Sequence, residues 1–287
     1  NSQEPNTLKK MNKKLVVLAA LSFSFLGAQA KVKLPHILGN NMILQQNAEA
    51  NLWGWDKPGT EVNVTASWSS QKWTAKTDKD GKWQVKVQTP KASYTPLSIT
   101  FDDGEPVTLS NILAGEVWVC AGQSNMEMPV KGFGNCPVEG YNKAVVEANQ
   151  YKGIHYVKIP SVMSNKPLDD ASCEWKEISP ETVGEASATG YFFAQVVNKA
   201  LDIPVGLVMA NKGGTRVESW LDRDYLKKNT KEETDSAKIV KSKKFKWDFH
   251  YPLLWGNGTF HPILNYTVKG ILFYQGCSNV GDPDGQY

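Results

Sequence analysis

Between residues 31 and about 110 the chain alternates apolar with polar positions in short runs. Segments 51–55 and 61–68 place apolar residues at nearly every second position, the pattern of strands with one buried face. Residues 73–76 and 83–87 flank Asp78-Lys-Asp-Gly81, and residues 97–101 and 107–109 flank Asp102-Asp-Gly104. Each turn has a glycine available for positive φ. Short strands at this spacing predict a small antiparallel β-sandwich over 31–112. After Leu113 the texture changes: 116–120, 204–210 and 268–274 are unbroken apolar runs, suited to strands covered on both faces. Between them residues 186–201 place Tyr191, Ala194, Ala200 and Leu201 roughly at helical spacing. Strands alternating with helices predict an α/β layer with a mostly parallel sheet over 113–287.

The first thirty residues read differently. Met11 is followed by Lys13 and Lys14, an apolar run over 15–26, and the exit Gly27-Ala-Gln-Ala30. That order predicts a secretory signal cut after Ala30 and a periplasmic or secreted protein. This run of twelve residues falls short of the ~20 needed to span a membrane. Residues 1–10 precede this Met and read as upstream sequence. The turn-rich end at Gly281-Asp-Pro-Asp-Gly285, close before Tyr287, reads as that of a fragment.

Charge and composition narrow the classes further. With 41% apolar residues and 10% aromatics the chain can bury a real core, which excludes global disorder. The formal charge of +3 is carried by Lys9, Lys10, Lys13 and Lys14 against Glu4, so residues 31–287 are neutral. A phosphate-backbone partner needs a basic face, so no nucleic-acid partner is expected. Eight lysines over 227–246, against Glu232, Glu233 and Asp235, read as a solvated segment rather than an anion site. Cys120, Cys136, Cys173 and Cys277 are too few for a disulfide scaffold and lack zinc spacing. Cys120 reads as a core thiol, and a Cys136–Cys173 bridge is compatible with export.

Ligands of open α/β sheets bind beyond the carboxyl ends of the strands. Three such ends carry polar, glycine-bearing turns: Gly122-Gln-Ser-Asn-Met126, Asn211-Lys-Gly-Gly-Thr215 and Gln275-Gly-Cys-Ser-Asn279. Ser124 stands where a strand turns into a helix, with its hydroxyl exposed and its N–H at the helix start. Acyl transfer needs such a hydroxyl and donors aimed at the developing oxyanion. Gly213 or Gly214 can offer an unobstructed N–H, and Gln275 or Asn279 a side-chain amide. Turns are rich in Gly, Ser and Asn in any case, so the weight rests on the convergence of three of them.

The segment Glu116-Val-Trp-Val-Cys-Ala-Gly-Gln-Ser-Asn-Met-Glu-Met-Pro129 resembles the nucleophile block of the sialate O-acetylesterases, within the SGNH hydrolase superfamily. Gly213-Gly-Thr-Arg-Val-Glu-Ser-Trp220 resembles their glycine block, and Lys269-Gly-Ile-Leu-Phe-Tyr-Gln-Gly-Cys-Ser-Asn279 their third. Gly39-Asn-Asn-Met-Ile-Leu-Gln45 with Trp53-Gly-Trp55 resembles the sandwich that precedes catalysis in that family. The resemblance implies a flavodoxin-like three-layer α/β domain in which Ser124 attacks an acetyl ester of a sugar hydroxyl. The implied oxyanion hole is the Ser124 N–H, an N–H of Gly213 or Gly214, and an amide, Gln275 first and Asn279 second. It further implies that Gln123, Asn125, Glu218 and Trp220 touch substrate or brace the loops, and that no metal or organic cofactor is needed.

Two features depart from the family. Cys277 stands where a glutamate is usual, and a thiol positions a histidine poorly, so lowered or lost activity is expected. The family's base is a histidine in an Asp-x-x-His block after the third block, whereas His36, His155, His250 and His261 all precede it. Asp248-Phe-His250 is the tempting substitute but lies in the wrong order, and all four histidines read as solvated or structural. Residues 31–287 alone are therefore expected to be nearly inactive. The expected ligand is an O-acetylated sialic acid, with acetylated xylan or another acetylated glycan as the nearest alternative. A non-catalytic glycan-binding protein, using Trp53, Trp55, Trp68, Trp73 and Trp83, is the reading from another class.

Overall fold

A computed structural model describes residues 31–281; the expected signal and the end at Tyr287 lie outside the described residues. Eleven strands are described: β1 (Ile43–Gln45), β2 (Glu49–Trp55), β3 (Glu61–Ala66), β4 (Ser69–Lys76), β5 (Lys82–Gln88), β6 (Ser93–Asp102), β7 (Val107–Gly122), β8 (Ile154–Lys158), β9 (Trp175–Glu177), β10 (Val205–Asn211) and β11 (Gly270–Tyr274). Nine form one mixed sheet in the order β4-β3-β6-β7-β10-β8-β9, with β1 and β11 also paired to β7; β2 and β5 form a separate antiparallel ribbon.

The strand pattern predicted for 31–112 is present, but its boundary with the α/β layer falls inside one strand. β7 runs sixteen residues without a break. Its first part pairs antiparallel with β6, and its last part pairs parallel with β10 and β11. Between Leu97↔Ile112 and Ile99↔Leu109 the strand carries one residue more than β6, a bulge in which Asn111 takes φ +54. Asparagine tolerates that left-handed conformation, and a bulge bends and twists its strand. The alternation changes there as well: polar residues alternate before the bulge, and the chain is almost continuously buried after it.

The β2–β5 ribbon packs its inner residues Leu52, Trp83, Val85 and Val87 into one core with Val62, Val64, Ile99 and Phe101. The Trp83 and Phe101 rings lie 5.7 Å apart. The same core continues under the parallel strands through Val117, Val119, Val157 and Val208 to Ile263 and Tyr266. On the opposite face, helix α3 (Ala188–Leu201) packs with α2 (Tyr141–Glu147) against β8 and β10; the one-turn α1 is Ser124–Glu127. Ser187 caps α3 by accepting the Gly190 N–H. A side chain at Gly190 would lie 2.7 Å from Cys120 Sγ, so the glycine lets helix and strand approach. Cys120 is fully buried, and burial pushes its thiol up to about 12. Among the described residues the other face of the parallel strands is covered by one π-helical turn (Gly256–Phe260) and one 3-10 turn (His261–Ile263) rather than by a long helix.

The bridge between Cys136 and Cys173 that export would permit is not formed: both are free thiols. Cys136 lies exposed in a tight loop bridged to Phe133, whereas Cys173 packs against the core, where burial first and the nearby Asp170 second push it up to about 12.

Candidate active site

Parallel register brings the three turns to one level. Asn211 of β10 and Tyr274 of β11 both stand opposite Gly122, the last residue of β7. At Gly122 the chain must turn sharply in front of β11. It takes φ +142, and a methyl group there would lie 2.1 Å from the Tyr274 carbonyl oxygen. The Gln123 N–H donates to that same carbonyl, and α1 begins at Ser124. Ser124 is half-buried, and among the described residues its hydroxyl and its N–H make no hydrogen bond. One turn of helix carries little macrodipole, so the open N–H itself is what an oxyanion would meet.

The glycine turn packs directly on this serine. A side chain at Gly213 would reach within 3.5 Å of Ser124 Cβ. Its N–H is not available as expected, because it donates to the Glu127 carboxylate, one turn on from Ser124. The Gly214 N–H donates to no described residue. Gly214 sits at φ +79 with the Phe249 ring where a Cβ would be, 2.9 Å away. Of the two expected donors, Gly214 is thus the open one.

The amides divide as well. Gln275 lies in the crevice: its Oε1 accepts from Gln123 Nε2 (2.7 Å), and its Nε2 donates to Thr215 Oγ1 (3.1 Å) and weakly to the Arg216 carbonyl (3.4 Å). Only that last bond is long enough to be given up cheaply. Asn279 is turned away from the serine. Its Nδ2 donates to Glu218 (2.8 Å) and its Oδ1 accepts the Val217 N–H (3.0 Å), so it braces rather than donates to an oxyanion. Glu218 is fully buried between Asn279 and Arg216, whose guanidinium also pairs with Glu232. A buried carboxylate is tolerable only when paired and hydrogen-bonded in this way. Trp220 donates its indole N–H to Thr215 Oγ1 (2.9 Å), a second brace. Asn125 is exposed at the crevice, and its carbonyl accepts from Thr189 on α3.

Ser278, Arg216 and Glu232 were not singled out as positioning residues in the sequence, whereas Gln123 was expected to touch substrate or brace the loops. Gln123 also donates to the Thr215 carbonyl, which sews the nucleophile turn to the glycine turn. Ser278 donates to the Gly214 carbonyl (2.9 Å), which ties the third turn to the glycine turn. Arg216 stands inside the quoted glycine block, and only its burial marks it. Glu232 has its side chain 4% exposed and joins Arg216 to Lys244. The buried Thr234 and Ile239 and the Phe245 ring against Arg216 and Tyr251 anchor the lysine-rich segment further, while its lysines are exposed.

The histidines are dispersed. His36 pairs with Asp170 at the surface, and His155 is buried against the carbonyls of Asn41 and Lys152. His261 bonds the Leu168 carbonyl. His250 meets the Phe249 ring edge-on, and Phe249 in turn stacks with the half-exposed Trp247. Among the described residues no cluster of His, Cys, Asp or Glu is placed to hold a metal ion, and no helix is long and apolar enough to cross a membrane.

The profile of a family described as carbohydrate esterase, sialic acid-specific acetylesterase, matches residues 114–286. Two curated relatives are named sialate O-acetylesterase. The human protein is 28% identical over 85% of this chain and 48% of its own length, and the mouse protein 26% identical over 92% and 55%. The chain therefore spans about half the length of the curated relatives it matches. A crystal structure described as a novel carbohydrate acetylesterase from Xanthomonas citri superposes with a TM-score of 0.74 at 29% identity, covering 88% of this chain and 53% of that one.

Proposed function

The chain belongs to the sialic acid-specific acetylesterase family of carbohydrate esterases, and from that premise we propose that the whole protein is a serine esterase that removes O-acetyl groups from sialic acids. One observation carries this reading: the register of β7, β10 and β11 delivers a half-exposed, unbonded Ser124 hydroxyl beside the glycine turn and Gln275. Ser124 Oγ attacks the acetyl carbonyl, and its proton passes to a base. The oxyanion is met by the N–H groups of Ser124 and Gly214, and by Gln275 once it releases the Arg216 carbonyl. Collapse expels the sugar hydroxyl and leaves an acetyl-serine, which water then hydrolyses to acetate. Gln123, Glu218, Trp220 and Asn279 hold the three turns in register.

The base in this reading is a histidine of an Asp-x-x-His block, as the family resemblance implies. His36, His155 and His261 are each bonded to partners outside this crevice. Residues 31–112 are read as a small sandwich made by the β2–β5 ribbon and the antiparallel part of the large sheet, supported by their common core. A periplasmic or secreted location rests on the signal-like residues 11–30 alone.

Acetate release by the whole protein from O-acetylated sialic acid tests the proposal. Ser124→Ala is expected to lower kcat by at least about 10³-fold with an unchanged melting temperature, because no described hydrogen bond is lost. Undiminished release by that variant would sink the serine mechanism. A second reading keeps the chemistry and changes the sugar to acetylated xylan or another glycan. The likeness to a protein described only as a carbohydrate acetylesterase favours it. Comparing kcat/KM on acetylated xylan and on acetylated sialic acid separates the two.

A further inference from the structure

The outer face of the β2–β5 ribbon carries a second feature. Register places Trp53 opposite Gln84 and Trp55 opposite Lys82, so these four side chains share the face turned away from the core of Leu52 and Val85. Segment 261–267 closes over part of that face. The Asn51 N–H donates to Thr267 Oγ1 (3.0 Å), and Asn51 Nδ2 donates to the Asn265 carbonyl (3.1 Å). Lys82 bridges to Asp169 on the far wall at 2.8 Å. Trp53 is covered as a result, whereas Trp55 stays half-buried beside a cleft of about 360 Å³.

The chemistry of this lining selects a ligand class. Lys76 and Lys82 are balanced by Asp78 and Asp169, so the cleft offers no net charge to a phosphate or a carboxylate. It offers donors and acceptors at short intervals. Gln84 spends one amide hydrogen on Asn51 (3.1 Å) and keeps its carbonyl oxygen. His261 Nδ1 donates to the Leu168 carbonyl (2.8 Å), which leaves Nε2 as the ring atom for a ligand. The Lys33 ammonium lies 5.5 Å from the Trp55 ring centroid, and the part of this indole that lines the cleft is an aromatic surface for a flat apolar partner. An aromatic surface amid charge-balanced donor–acceptor capacity suits a pyranose, whose C–H face stacks while its hydroxyls both give and accept. The walls are already cross-linked, so little ordering opposes binding.

We propose that this cleft is a glycan-binding subsite for neutral oligosaccharide, separate from the Ser124 crevice. Thr267 stands at its wall and Tyr274 at the crevice, seven residues apart along a chain that leads into and through β11. The extended run of β11 from Gly270 to Tyr274 alone covers about 13 Å of this at ~3.3 Å per residue. The subsite would hold a glycan chain while the distant serine works on an acetylated residue of it, but its binding does not depend on the esterase reading.

Calorimetric titration of the chain with xylohexaose, mannohexaose and cellohexaose tests it. At least one is expected to bind with a Kd of about 0.1–1 mM, the range of weak single-site recognition. Trp55→Ala weakens binding at least about tenfold, Gln84→Ala, at an exposed position, a few-fold, and Trp55→Phe restores most of it. Ser124→Ala leaves Kd unchanged, so loss of the esterase reading and loss of this one are told apart. Absence of heat with all three sugars, or unchanged affinity in Gln84→Ala and a folded Trp55→Ala, overturns the proposal.

Discussion

The two parts of β7 belong to one strand yet obey different rules. Before the bulge at Asn111 the strand pairs antiparallel with β6, keeps one polar face and contributes Leu109 and Ile112 to a core. Beyond it the strand lies between parallel neighbours, is buried on both faces and ends at Gly122, where three turns meet. Strands flanked by parallel neighbours expose only their ends, so reactive groups gather there, whereas an antiparallel face can be solvated anywhere along its length. Among the described residues β11 pairs with β7 alone and leaves Ile271, Phe273 and Tyr274 half-exposed, contrary to the coverage on both faces expected for 268–274. Packing dominates one region and hydrogen bonding between turns dominates the other.

Mutations in the two regions should separate these roles. The largest effect is expected at their shared strand end. Gly122→Ala drives a methyl group against the Tyr274 carbonyl at positive φ, and should cost more than about 4 kcal/mol in denaturant unfolding, the size reserved for named clashes. In the core next to the antiparallel part, Phe101→Ala should cost about 3–5 kcal/mol while kcat of the folded whole protein stays unchanged. In the crevice, Gln275→Ala should do the reverse: kcat falls about 10²- to 10³-fold, as for loss of one oxyanion donor, with about 1 kcal/mol of stability lost. A changed kcat in Phe101→Ala, or an unchanged one in Gln275→Ala, would erase the distinction.

The smallest effect concerns His155 on β8. Burial first, against weaker upward pulls from the Asn41 carbonyl, Glu177 and the Lys152 carbonyl, holds its pKa below the usual value of 6.5. The unfolded chain takes up this proton as pH falls through roughly 6.5, while the folded chain does so only lower. Stability is therefore full above that value and is lost on acidification toward the folded pKa. His155→Gln should flatten that part of the profile, seen by unfolding at a series of pH values. A slope that survives the substitution assigns the dependence to other groups.

Much of this was legible along the chain. Alternation located β2 to β6, unbroken apolar runs located β10, β11 and the end of β7, and helical spacing located α3. The turn containing Ser124 and its two companion turns were readable because strand ends in a parallel sheet point one way. Less legible was anything that depends on who sits across a gap. Gly213 and Gly214 are alike in sequence, yet Glu127 occupies the N–H of one and leaves the other open. Asn279 and Gln275 are both amides, yet the buried Glu218 claims the first.

Local sequence thus determined element type, the order of the turns and the residue types at the crevice, because period, turn chemistry and side-chain class are properties of neighbours in the chain. Tertiary structure alone decided that residues 107–122 form one strand through two pairing environments, that Cys136 and Cys173 stay apart, and which donors remain open beside Ser124. Those outcomes rest on contacts between residues tens to more than a hundred positions apart. There register, burial and competition for each hydrogen bond are set only once the sheet has closed.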